Sequence, residues 1–134
     1  MTGVNVIIEE LWTSIYRVIA NCNYLLDGLT KVEDLDPVAK KHLEGQARAI
    51  RALAHFDLLR YFGEHWNSNS AFGVPLVQSV QKISDRPSRA SVAATYQFVL
   101  SELNIAAGLL DKEQKDIQLV NVNTVNALLA RVYL

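Results

Sequence analysis

Apolar residues recur at three- and four-residue intervals over most of this chain, the spacing that places side chains on one face of an α-helix. The first such segment runs from about Val6 to Leu29, with Asn5 as a candidate cap and Gly28 near its end. Its apolar positions are Ile8, Leu11, Trp12, Ile15, Tyr16, Ile19, Cys22, Leu25, Leu26 and Leu29. The pattern predicts one long amphipathic helix.

A second helix is predicted from Asp36-Pro37 to about Phe62. Aspartate is a favoured N-cap residue, and proline suits the first helical position because its missing N–H would have no partner there. Gly45 interrupts this helix and is followed by several alanines. Small side chains let two backbones approach closely, so we expect a neighbouring helix to pack at Gly45.

A polar connection of about 25 residues, 63–89, follows and is unusually long for a compact domain. The third predicted helix runs from about Ser91 to Leu110, and Asp111–Asp116 is a charged turn. The fourth begins after Asn123, a good N-cap residue. The apolar run Ile117–Val122 is too short to assign to a helix or a strand.

No alternation of apolar and polar residues lasts long enough to predict a sheet. The predicted fold is all-α, with about four main helices, one long loop and antiparallel helix pairs within a single domain, residues 1–134. Two helix hairpins in series are tetratricopeptide-like, although the strict spacing of that repeat is not visible.

The composition is that of an ordinary globular protein, with 50% apolar and 20% charged residues and a net charge of −1. Nucleic acid is not an expected partner, because phosphate binding needs clustered basic charge. We find neither an apolar run of membrane-spanning length nor a signal peptide. Cys22 is the only cysteine, so an intrachain disulfide is excluded, and its apolar-periodic position predicts a buried thiol.

Catalytic constellations are absent from the sequence, so we do not expect an enzyme. His42, His55 and His65 lack the four-residue spacing of a helical zinc site, and no motif indicates a nucleotide or another cofactor. His55 lies in an apolar helix near Asp57, which favours a hydrogen-bonded structural histidine over a general base.

Aromatic residues supply the only candidate binding chemistry. Trp12, Tyr16 and Tyr24 share one face of the first helix, where packing between helices is the simpler interpretation. Trp66 and Asn67 lie in the long loop. A tryptophan ring can stack on a sugar ring while the amide bonds its hydroxyl groups, so both are candidate ligand-binding residues. The alternative is that the Trp66 side chain packs against the helices and so attaches the loop to the helical layer.

Five short segments, in order along the chain, resemble the N-terminal helical part of the SusD/RagB family. The first segment contains Trp12, Tyr16, Ile19, Ala20, Asn21, Asn23, Leu25 and Leu26, and the second is Gly45–Ala52, continuing through Phe56-Asp57-Leu58 and Tyr61-Phe62-Gly63. The third is Gly73–Val77, and the fourth is Arg86–Val92, followed by Tyr96, Leu103, Ala106 and Leu110. The fifth is Val125 with Ala127–Leu134. Each segment is weak alone, and their shared order makes the match specific.

The resemblance implies a lipid-anchored protein at the cell surface, on the outer membrane of Bacteroidetes. Such a protein binds glycans or other nutrients and caps a TonB-dependent transporter of the SusC type. In that family the helical repeats serve chiefly as scaffold and transporter contact. The alternative function is a helical-repeat module that binds other proteins and takes no small-molecule ligand.

Relative to the family, this sequence has no anchor cysteine at the front and stops within a helical pattern. We therefore expect it to be a fragment of a larger SusD-like protein. A missing partner would leave the apolar face of the fourth helix exposed, and such a face favours self-association.

Overall fold

The computed structural model describes residues 3–112, 116 and 118–134. They form four helices: α1 (Gly3–Lys31), α2 (Pro37–Phe62), α3 (Val92–Leu109) and α4 (Val122–Tyr133). Within those described ranges the only β-type pairing is an isolated antiparallel bridge between Pro75 and Arg89. The prediction of an all-α, tetratricopeptide-like fold with one long loop is confirmed.

Two of the predicted helix starts are confirmed, and each has a capping side chain, of which that of Asp36 was predicted. The carboxylate of Asp36 accepts a hydrogen bond from the Ala39 N–H at 2.8 Å, and Pro37 is the first residue of α2. Ser91 Oγ accepts from the Ala94 N–H at 3.1 Å at the start of α3. Each side chain satisfies an N–H that has no partner inside its own helix.

Other predicted boundaries were wrong. The first helix already includes Asn5, so this residue is not its cap, and it continues through Gly28, since a helical glycine costs only about 1 kcal/mol. The cap of α4 is Asn121 rather than Asn123, because Asn121 Oδ1 accepts from the Thr124 N–H at 3.0 Å. Val122 of the ambiguous run therefore opens α4, whereas Ile117 and part of the charged turn lie outside the described residues.

The helices pack in chain order, α1 on α2, α2 on α3 and α3 on α4. Gly45 lies where α2 meets the end of α3. A Cβ atom placed there would come within 2.8 Å of Leu110 Cγ and 3.2 Å of Leu109 Cβ, which confirms the predicted close approach. The core between α2, α3 and α4 is formed by Ala49, Ala52, Phe56, Val99, Leu103, Ala106, Leu110 and Val125.

A second core joins α1, α2 and the long loop. Its buried residues are Ile19, Ala54 and Leu58 from the helices and Val74 and Val77 from the loop. Trp12 packs against it, with its ring centroid 4.9 Å from those of Tyr16 and Phe62. Core packing is thus confirmed for Trp12 and Tyr16, while Tyr24 is 60% exposed and does not belong to the core.

The exposed apolar surface lies mainly on α1 rather than on α4. Val4, Ile7, Ile8 and Leu11 are exposed along the first turns of α1, because α2 covers only the later part of that helix. On α4 the large exposed apolar side chain is that of Tyr133, next to the exposed Leu134, whereas Leu128, Leu129 and Val132 are partly buried against the core. None of the helices in the described part of the chain combines the length and apolar character needed to cross a membrane.

Candidate functional site

The second half of the long connection is fixed to the helices by buried hydrogen bonds. Asn23 Nδ2 donates to the backbone oxygens of Val77 and Ser79, each at 3.0 Å. Tyr16 Oη donates to the Pro75 carbonyl at 2.9 Å, and burial is the main cause that raises the pKa of this phenol above its usual range. These bonds satisfy carbonyl groups that lose their contact with water when the loop packs on the helices.

A buried ionic network between α2 and α3 also binds the second half of the connection. Arg51 donates to Asn23 Oδ1 at 2.6 Å and to the Gln78 carbonyl at 3.0 Å. Its Nε also donates to Glu102 Oε2 at 2.8 Å, and Arg48 binds the other oxygen of Glu102 at 2.7 Å. Every charge in the network has an opposite partner, as burial requires. This network was not predicted from the sequence, where its one signal was Glu102, the single charged residue of α3.

His55 completes this attachment and is fully buried. Its Nδ1 lies 2.9 Å from the Arg51 carbonyl, and its Nε2 accepts from the Val77 N–H at 3.2 Å. Burial lowers the pKa of His55 to about 4, so the ring is neutral at pH 7. The prediction of a structural histidine is confirmed, although its partners are backbone groups and not Asp57.

The first half of the connection presents Trp66 to solvent. This side chain is 74% exposed, so the alternative that it packs against the helical layer was wrong. Its loop is nevertheless held in place, because Tyr96 Oη donates to the His65 carbonyl at 3.2 Å. Ser70 Oγ also donates to the Glu64 carboxylate at 2.6 Å. An exposed tryptophan on a supported loop is typical of a binding residue rather than of a packing residue.

Asn67 lies beside Trp66 and is also exposed, but half of its amide is already used. Its Oδ1 accepts from the Asn69 N–H at 3.1 Å, an Asx-type turn that shapes the loop. The Asn67 backbone N–H donates to the Glu64 carbonyl at 2.9 Å. These bonds indicate that Asn67 shapes the turn that presents its neighbour Trp66 to solvent.

A cleft of about 460 Å³ opens next to Trp66, between the loop and the ends of α2 and α4. It is lined by aromatic and cationic side chains, among them Arg60, His65, Trp66, Tyr96 and Arg131. Its volume is within the range of small-molecule sites. The prediction from the sequence contained Trp66 but none of the cleft residues contributed by the helices.

Metal-ligating side chains and the single cysteine are two further candidates for chemistry in the described part of the chain. No group of three or more His, Cys, Asp or Glu side chains could hold a metal ion there. Cys22 is buried as predicted, and burial raises the pKa of its thiol above the usual value, which makes it a poor nucleophile.

Comparison with known proteins gives the class. A family model described as SusD-like, starch-binding and associating with the outer membrane matches residues 1–134, so the chain belongs to this SusD-like family. A SusD-like protein of Bacteroides ovatus is 28% identical over 138 residues, which cover 100% of this chain and 23% of that protein.

Solved structures agree with the family match. A SusD superfamily protein from Bacteroides thetaiotaomicron is 29% identical, with a TM-score of 0.85, over 91% of this chain and 27% of the other. A second structure, determined with a xylogluco-oligosaccharide, is 27% identical, with a TM-score of 0.81, over 100% of this chain and 25% of the other. This chain thus spans about a quarter of the length of these relatives.

Proposed function

We propose that this chain is the helical scaffold of a non-enzymatic, glycan-binding protein that works with a TonB-dependent transporter at the outer membrane. Membership of a family described as starch-binding supports the glycan, and so does the relative solved with a xylogluco-oligosaccharide. The family's association with the outer membrane supports the location. The transporter partnership rests on the family resemblance.

The exposed ring of Trp66 is the observation that carries the glycan-binding role. A flat aromatic face can cover the C–H groups of a sugar ring, and Trp loses little conformational freedom on binding because it has only two side-chain torsions. The hydrogen bonds from Tyr96 and Ser70 hold the loop before a ligand arrives. Such preorganisation reduces the ordering cost that otherwise weakens binding.

The titratable groups of the interior favour a scaffold over a catalyst. His55 uses both ring nitrogens to hold backbone groups, and Glu102 is bound by two arginines. A general base must be able to reach a substrate proton, and these buried groups cannot.

Binding of a xylogluco-oligosaccharide to this chain, measured by isothermal titration calorimetry, tests the proposal. We expect Trp66→Ala to weaken binding about tenfold or more, since a tryptophan at the centre of a contact typically carries a large share of the energy. Tyr61→Ala is the matched control, because Tyr61 is exposed to a similar extent but does not line the cleft. Equal affinities of Trp66→Ala and the parent chain would remove Trp66 from the site.

The cellular part of the proposal has its own test. We expect the natural reading frame to carry a lipid-anchor cysteine upstream of this segment and to lie beside a gene for a SusC-like transporter. A frame with neither feature would contradict the proposed location and partnership while leaving the glycan-binding role to be judged by calorimetry.

A further inference from the structure

We propose that the cleft beside Trp66 binds the carboxylate of an acidic sugar, so that the preferred ligand is a glycan containing uronic acid. This inference rests on the proposed glycan-binding function and adds a class of substrate to it. The observations that carry it are two arginine side chains in the same cleft as the exposed tryptophan.

Both arginines are positioned by one aromatic ring. The guanidinium carbon of Arg60 lies 5.7 Å from the centroid of the Phe56 ring, and that of Arg131 lies 5.6 Å from the same centroid. Arginine on an aromatic face keeps its N–H groups free for hydrogen bonds in the plane of the guanidinium. Phe56 is itself buried in the core, so α2 and α4 present the two cations from a fixed support.

The positive charge of the cleft is only partly neutralised. Asp57 approaches Arg131 with a separation of 3.6 Å, a long contact for an ion pair between partly exposed groups. Arg60 has no carboxylate within salt-bridge distance among the residues that the structure describes. Burial raises the pKa of Asp57 and the charges of Arg131 and Arg60 oppose that rise, so Asp57 acts on Arg60 only from a longer distance. The Glu64 carboxylate, the nearest acid along the loop, accepts the hydrogen bond from Ser70. One guanidinium is thus left to bind an anion from solution.

The geometry of a uronic acid suits this arrangement. Its carboxylate projects outward from the sugar ring, roughly along the edge of the ring. A ring stacked on Trp66 would therefore direct the carboxylate sideways, toward the arginines that share the cleft with Trp66 and Tyr96. Arginine binds a carboxylate through two parallel N–H···O bonds, which a neutral hydroxymethyl group cannot accept in the same way. The cleft should therefore select an acidic sugar over its neutral counterpart.

A matched pair of ligands tests the selection. Tetragalacturonate and its fully methyl-esterified form have the same sugars and linkages, and each carboxylate of the first is a neutral methyl ester in the second. We expect the chain to bind the acid form at least about tenfold more tightly, the ratio that corresponds to one charge-assisted contact. Raising sodium chloride from about 0.05 to about 0.5 M should shrink this ratio, because salt screens exposed charges.

Variants assign the effect to the cleft. Arg60→Gln should abolish most of the preference for the acid form, and Arg60→Lys should retain part of it, since lysine keeps the charge but loses the bidentate geometry. Arg17→Gln is the control, because it removes the same charge from an exposed position on α1 outside the cleft. Circular dichroism spectra matching the parent chain would show that each variant is folded.

The outcomes separate this inference from the proposed function. If the chain binds a neutral xylogluco-oligosaccharide through Trp66 and shows no preference for tetragalacturonate over its ester, the inference is overturned and the glycan-binding function stands. A preference that survives in Arg60→Gln would also overturn it. If neither acidic nor neutral oligosaccharides bind, both proposals fail.

Discussion

Replacing Asn23 by alanine tests whether the buried hydrogen bonds of this side chain hold the long loop against the helices. The amide makes three of them: its nitrogen donates to the Val77 and Ser79 carbonyls, and its oxygen accepts from Arg51. Alanine removes all three and leaves two carbonyls and one guanidinium N–H without that partner. Asn23 is almost fully buried, so solvent can replace these bonds only if the loop moves away.

The expected loss follows from these bonds. A neutral hydrogen bond contributes about 1 kcal/mol and one to a charged group about 1.5–3 kcal/mol, so the sum is about 4 kcal/mol before any relaxation. Partial entry of water would reduce it to about 3 kcal/mol. At about 0.05–0.15 kcal/mol per residue, the whole domain has a stability on the order of 10 kcal/mol. Asn23→Ala should therefore remove roughly a third of it and lower Tm by about 10 °C.

Urea denaturation followed by circular dichroism measures this loss directly. Asn21→Ala is the matched control, because Asn21 lies two residues away on the same helix and is exposed. We expect the control to change the free energy of unfolding by no more than about 0.5 kcal/mol. Hydrogen exchange should also be faster at the Val77 amide in Asn23→Ala, since that amide is held by His55 within the same attachment. A loss below about 1 kcal/mol, or equal losses in the two variants, would show that the Asn23 side chain does not hold the loop.

Three further predictions concern the loop, the buried histidine and the exposed surface. Gly73→Ala should destabilise the fold by about 2–3 kcal/mol in thermal denaturation, because its Cβ would lie 2.6 Å from the Ala90 carbonyl oxygen and 2.7 Å from that of Ser91. The control Gly108→Ala should be neutral or stabilising, because a Cβ at Gly108 would have no neighbour within 4 Å. The stability contributed by neutral His55 should be complete above about pH 6.5, and about 3 kcal/mol of it should be lost as the pH falls toward 4, because the unfolded state binds the proton more tightly. His55→Gln should lack this part of the pH dependence of the free energy of unfolding. An unchanged pH profile in that variant would contradict the assignment. Native mass spectrometry should detect self-association through the exposed apolar side chains of α1, which Ile7→Ser should weaken more than Tyr133→Ser. A strictly monomeric chain would contradict this expectation.

The helices could be predicted because their signals are local. Apolar spacing and the cap at Asp36 depend on neighbours within a few residues, and the bounds of α2 and α3 lie close to those predicted. The close contact at Gly45 could also be predicted, because a glycine within a helix lowers stability and is expected only where a larger side chain would not fit. The cap of α4 was misplaced because Asn121 and Asn123 are equally good capping residues, and only the fold decides between them.

The site could be predicted only in part because its residues are distant in sequence. Trp66 could be recognised as a tryptophan in a polar loop, but Arg60 and Arg131 come from two different helices that the fold brings together at Phe56. The attachment of the loop depends similarly on Asn23, Arg51 and Glu102, which come from three helices. A periodic pattern places each of these residues on a helix face and does not indicate its partners.

The indole N–H signal of Trp66 reports whether this side chain, on its supported loop, contacts a glycan. In a two-dimensional ¹⁵N–¹H NMR titration the chain should show two indole signals, from Trp12 and Trp66, which Trp66→Phe would assign. Addition of a xylogluco-oligosaccharide should shift the Trp66 signal in a saturable way and leave that of Trp12, packed against Tyr16 and Phe62, unchanged. Saturable binding detected by calorimetry with no change at the Trp66 indole would show that the glycan binds elsewhere on the chain.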